Sequence, residues 1–217
     1  MTNLSPITQF FLQEGVPLTT ITLLLMLPII ATFIAFLRQV VGIKAFGIYT
    51  PLIITFAFLA TNGLRYGVAI FFAVILTGMV MRFAMKPFRL LYLPRVAIML
   101  TVVSLIILAM LVLGGNMRRT GLASVSIFPI LIMITLVEKF VAVQIEKGNK
   151  TALILAFETL IISIFGFYIA SWKGLIELLL VHPWVILLTV PINVVLGRWT
   201  GLRVSEYIRF KDIIKKL

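Results

Sequence analysis

Cysteine is absent from the 217 residues, which excludes a disulfide framework and thiolate chemistry. Histidine occurs once, at His182, so a His-based zinc site has no ligand set and no metal is expected. Aspartate also occurs once, at Asp212 in the C-terminal tail. There is no Gly-rich phosphate loop, HExxH, GxSxG or paired-carboxylate arrangement. A self-contained enzyme is therefore not expected, and neither is a cofactor. Charge is scarce as well: 12% of residues are charged and 62% hydrophobic, with a mean hydropathy of +1.19. Soluble chains run at about a quarter charged and under half apolar. A water-soluble fold is excluded, and most of the surface must face lipid.

What is present is a succession of apolar runs. A hydrocarbon core about 30 Å thick needs roughly 20 apolar residues per helix. By that measure, with charged clusters as separators, seven segments emerge at 17–37, 43–60, 66–83, 96–114, 122–137, 151–170 and within 174–197. The fifth is short. The start of the seventh is open, because Glu177, His182 and Pro183 could leave residues 174–181 along the interface. The expectation is an all-α integral membrane protein, a seven-helix bundle spanning 17–197. Residues 1–16 form a short extracytoplasmic tail and 198–217 a basic cytoplasmic one. Residues 1–15 lack a basic n-region and a small-residue cleavage site, so no removable signal peptide is expected.

Orientation follows from the basic residues. With the N-terminus outside and the C-terminus cytoplasmic, only Arg65, Arg118, Arg119 and Lys173 of the 19 Lys and Arg lie on the outer side. The net charge of +12 is then explained by topology, with no nucleic-acid partner. The tail from Arg198 interleaves Tyr207, Ile208, Phe210, Ile213 and Ile214 with basic residues. It reads as an amphipathic helix on an anionic leaflet, or as a docking helix for a cytoplasmic partner.

Two segments share a pattern. The second runs from Gly42 to Pro51 and the fifth from Gly121 to Pro129, each with hydroxyl residues before the proline and an aliphatic stretch after it. Proline removes a backbone donor and clashes with the preceding turn, so helix is weakest just ahead of Pro51 and Pro129. On the stated topology these two segments point in opposite directions, each in the middle of a three-helix set. That is the layout of a 3+3 inverted repeat plus one helix, in which broken helices meet at mid-membrane around a binding place. Two unrelated kinks are the alternative.

Few polar groups lie at depth. Glu158, eight residues into the sixth segment, is the most deeply placed formal charge. At roughly 2.5–3.5 kcal/mol for a carboxylate at bilayer depth, it should face the bundle and either pair or hold a proton. A proton relay, a substrate contact and a hydrogen bond between helices are its three readings. His182 is either a partner for Glu158 or an interfacial residue where a helix begins. Asn193 reads as a cross-helix hydrogen bond. Lys44, Tyr49 and Thr50 precede Pro51, and Glu138 closes the fifth segment. Lys44 with Glu138 and Glu146 would form a charged cytoplasmic vestibule, or Lys44 would snorkel to lipid phosphates.

Several blocks carry a family resemblance: VGIKAFGIYTP at 41–51, LYLPR at 91–95 (which adds Arg95 to the candidate site), IFPIL at 127–131, EKFVAVQIEKG at 138–148 and LGRWTGLR at 196–203. In this order they resemble the bacterial seven-helix membrane domain usually fused to an inactive transglutaminase domain. A fainter likeness is to the membrane subunit of poly-gamma-glutamate synthesis. The resemblance implies a multi-pass protein of the bacterial cytoplasmic (inner) membrane, commonly encoded with a cytoplasmic ATP-grasp peptide ligase. About 16 residues precede the first segment, too few for the inactive transglutaminase-like domain, so the expectation is either a fragment of a longer protein or a bare membrane module, for which another chain could supply that domain on the extracytoplasmic side. Three functions remain open on this basis. The first is a non-enzymatic module that accepts or conducts a peptide-like ligase product, the second a seven-helix receptor-like transducer, and the third an assembly scaffold.

Overall fold

The computed structural model describes residues 4–61, 63–85, 87–88, 91–116 and 127–198. Every regular element among them is helical. Residues 121–126 of the fifth segment and the tail beyond Arg198 lie outside the described residues. Two compact units result. One combines residues 1–44 with 168–217, and the other is residues 45–167.

In the first unit, Ser5 caps α1 (Pro6–Gln13) by accepting the Thr8 N–H at 3.1 Å, with Pro6 in the first position where its missing donor is harmless. The stretch expected as a plain tail is thus a helix, and it is tied down. The Ser5 N–H and the Thr8 hydroxyl both donate to the Leu180 carbonyl, at 3.1 and 2.9 Å. α2 (Leu18–Phe36) continues into a π-helical turn, Leu37–Val41. Its Pro28 leaves the helix running, and Thr32 donates back to the Pro28 carbonyl at 2.7 Å. α7 (Lys173–Val181) is followed by a 3-10 turn (Pro183–Leu188) and α8 (Thr189–Gly197), and the chain bends by 103° at the break. Asn193 on α8 donates to the Thr32 hydroxyl at 2.7 Å, the cross-helix bond its position suggested.

In the second unit, a turn at 45–48 leads into the short α3 (Tyr49–Ala60), followed by α4 (Leu64–Ala84), α5 (Tyr92–Asn116) and α6 (Ile127–Ala170). Residues 43–48, the start of the second apolar segment, are not helical, and the helix begins at Tyr49, just ahead of Pro51. α6 is not one straight rod. Gly148 has φ 84° and ψ 168°, a backbone conformation that favours glycine. Phe46 shows what happens there. Its ring meets Phe140 edge-on at 6.4 Å, while its N–H donates to the Thr159 hydroxyl at 3.0 Å. Residues 140 and 159 would lie about 28 Å apart on a straight helix, so the arms 127–147 and 149–170 fold back on each other. The first arm passes well beyond residue 137, because Glu and Lys are good helix formers and the helix outruns the apolar stretch. Glu138 therefore sits inside the arm and does not close it. Likewise α5 begins before residue 96, which puts Arg95 inside a helix.

Among the described residues, four helices are long and apolar enough to cross a membrane, or five if the bent pair counts as one span. Their outer faces carry exposed Phe72, Leu76, Leu105, Leu108, Phe157 and Phe165, the surface of a multi-pass membrane protein. Inside the second unit, helices meet at small residues, as expected where close backbone approach drives association. A Cβ on Gly78 would come within 3.0 Å of Val137, one on Gly67 would run into the Phe58 ring, and one on Gly166 would lie 2.5 Å from the Thr55 hydroxyl.

Candidate functional site

The turn at 45–48 raises an immediate problem of hydrogen bonding. Ala45 is buried, and a buried N–H outside a helix needs a partner. Ala45 is also the one non-glycine residue with positive φ (41°) among the described residues, a conformation costing about 1–2 kcal/mol. Both demands are met from the second arm of α6. Glu158 Oε2 accepts the Ala45 N–H at 2.9 Å and the Thr159 hydroxyl accepts the Phe46 N–H. Two successive N–H groups facing a carboxylate and a hydroxyl form a small anion-holding concavity.

The polar strip continues along the same arm. The Ser163 hydroxyl donates to the Pro51 carbonyl at 3.1 Å, and Thr55 donates to that carbonyl at 2.8 Å. One turn further on, Gly166 lets Thr55 press against the arm. Thr55, Thr159 and Ser163 are fully buried. Helical spacing explains the alignment: residues 159, 163 and 166 share a face, and 158 stands at its edge.

Pro51 is the third residue of α3, in a first turn where a missing N–H breaks no intrahelical bond, so it begins a helix and does not kink one. Pro129 stands near the start of the described part of α6, and the stretch ahead of it, 117–126, lies outside the described residues. The residues that follow them, Ile54, Ala57 and Phe58 on α3 and Ile130, Met133 and Ile134 on α6, join one apolar cluster. The polar groups of this unit collect instead along Glu158, Thr159 and Ser163.

The other candidates are dispersed. Tyr49 is exposed, Thr50 half-buried and Lys44 exposed, in the stretch around the turn. Tyr92 lies close enough to Glu138 and Glu146 for both carboxylates to act on its hydroxyl. That pair supplies an acidic corner, with Tyr92 as the residue the sequence did not single out. Arg95 lines a cavity with Arg82 and Asn149. His182 belongs to the other unit, exposed at the break between α7 and the 3-10 turn, with its ring edge-on to Trp184 at 6.1 Å. The described acidic and histidine residues form no group able to hold a metal ion.

Thr55, Thr159, Ser163 and Gly166 were missed in the sequence. Their signal is faint, consisting of hydroxyls four residues apart and a glycine three further on in an aliphatic helix. Arrangements of this kind are common in membrane helices.

Comparison with known proteins finds no matching curated protein and no matching solved structure. A family described as seven transmembrane helices usually fused to an inactive transglutaminase matches residues 6–214, and the chain, multi-pass and helical, belongs to that family.

Proposed function

We propose that the protein is a non-catalytic membrane acceptor for a carboxylate-rich, peptide-like product made by a cytoplasmic ATP-grasp ligase. In this reading all seven apolar segments cross a bacterial inner membrane, N-terminus outside. The two arms of α6 count separately, the turn with α3 counts as one broken span, and the bent pair α7–α8 counts as another. Residues 1–16 and 198–217 flank the membrane domain on opposite sides, and spans one to three and four to six form the inverted pair. The fold-back at Gly148 and the 15-to-4 distribution of basic residues support this count. The inactive transglutaminase-like domain is a partner on the extracytoplasmic side.

The observation that carries the reading is the carboxylate of Glu158 on the Ala45 N–H. A substrate carboxylate has the same charge and acceptor geometry, so it can displace Glu158 from the turn and release the segment that leads into α3. Lys44, Tyr49, Thr50 and Pro51 border that turn, while Arg95, Pro129 and Glu138 serve the opposite half of the repeat. The apolar packing behind both prolines means that passage requires this release; an open channel does not fit.

Proteoliposomes loaded with labelled oligoglutamate test the proposal. The wild-type protein should bind it and let it out, and Glu158→Gln or replacement of residues 45–48 should slow efflux at least tenfold. Efflux indifferent to both changes would defeat the acceptor reading. Failure of an ATP-grasp ligase to co-purify would remove the partner.

A further inference from the structure

A second polar region lies at one end of the 45–167 unit, where α4 ends, α5 begins and α6 folds back at Gly148. There a cavity of about 330 Å³ is lined by Arg82, Arg95 and Asn149 among Phe83, Met99 and Ile145. Arg82 donates to the Gln144 carbonyl, which fixes the guanidinium at the rim and leaves most of its five N–H donors for other acceptors. The Asn149 Oδ1 is buried and has no hydrogen-bond partner, and Gln144, completely buried, has neither amide atom paired. Buried amides are normally satisfied, and each exception needs a reason.

We infer that this cavity binds a phosphate group, and that the phosphate is the headgroup of an anionic phospholipid. Two guanidinium groups around one space match phosphate oxygens in a way a single surface charge does not. The Asn149 amide supplies what a headgroup hydroxyl requires, an acceptor with nothing bound to it. The apolar part of the lining decides between a lipid and a free phosphate. Phe83 is 59% exposed and Ile145 46% exposed, so the wall runs out onto the lipid-facing surface, where acyl chains attached to the bound headgroup would lie. The arginines belong to the side that carries most of the basic residues, as expected for capture of anionic lipid from the inner leaflet.

Native mass spectrometry of the purified full chain tests the inference, using mixed phosphatidylglycerol and phosphatidylcholine, with and without millimolar inorganic phosphate. Phosphatidylglycerol should be retained at least tenfold over phosphatidylcholine, and Arg82→Gln or Arg95→Gln should abolish that preference. Arg198→Gln, which removes the same charge outside the cavity, should leave it intact. Because Arg82 also holds the Gln144 carbonyl, Ile145→Trp provides a variant that blocks the cavity with both arginines in place, and it too should lose the lipid. Displacement by inorganic phosphate without lipid preference would assign the site to free phosphate and overturn the lipid source. Equal retention of both lipids with no phosphate effect, or a preference that survives Ile145→Trp and both arginine variants, would overturn the site altogether.

Discussion

Two polar regions of the same helical unit handle buried hydrogen bonding in opposite ways. Along the second arm of α6, the carboxylate of Glu158 and the hydroxyls of Thr159 and Ser163 bond the turn at 45–48 and the Pro51 carbonyl. At the fold-back end, Gln144 and Asn149 hold amide atoms with no partner beside a cavity with two arginines. The first region is complete in itself, so anything that binds there must displace a group already present. The second holds buried amide atoms with unmet hydrogen-bonding capacity, which a ligand there can meet.

The comparison can be broken most forcefully at Gly166. Gly166→Leu forces a side chain into the space occupied by Thr55. It should destabilise the protein by about 3 kcal/mol, read as a large drop in thermal midpoint in detergent, with new protease cutting at residues 42–48. A smaller change separates hydrogen bonding from charge. Glu158→Ala leaves the Ala45 N–H buried with no acceptor and should cost about 2 kcal/mol. Glu158→Gln keeps an amide oxygen for that N–H and should unfold close to the wild-type temperature, even though efflux is expected to suffer. If the two variants unfold alike, the carboxylate does not hold the turn.

The smallest effect is expected to have the opposite sign. Gln144→Leu replaces two unpartnered amide atoms with hydrocarbon of similar volume and should raise stability by about 1 kcal/mol in lipid-free detergent. Loss of stability there would mean that the Gln144 amide is bonded after all, and the contrast between the two regions would disappear.

How much of this was legible in the sequence varies with the kind of interaction. The apolar runs, the charge bias, the broken lead into Pro51 and the isolation of Glu158 within an aliphatic helix are all written locally. So is the ordered set of blocks that places the chain in its family. Helix ends were misjudged wherever a charged residue was taken for a boundary. Glu138 and Arg95 lie inside helices because helical backbone bonds do not end where the hydrocarbon does. The partner of Glu158 could not be read either, because it is a backbone N–H 113 residues away, and a main-chain donor leaves no mark in side-chain chemistry. For the same reason neither Arg82 nor Asn149 stood out in the sequence.

The chain's own composition determined that this is a membrane protein: with so little charge and so much hydrocarbon, no arrangement could hide its surface from lipid. Proline and glycine positions likewise determined where helices begin or turn, since those residues act on their own backbone. Which polar groups meet was decided by tertiary structure alone. The fold-back at Gly148 brings Phe140 and Thr159 to one residue and gathers three helix ends around a single cavity. Hydrogen bonds act over about 3 Å, and only the packed chain brings residues a hundred positions apart within that reach.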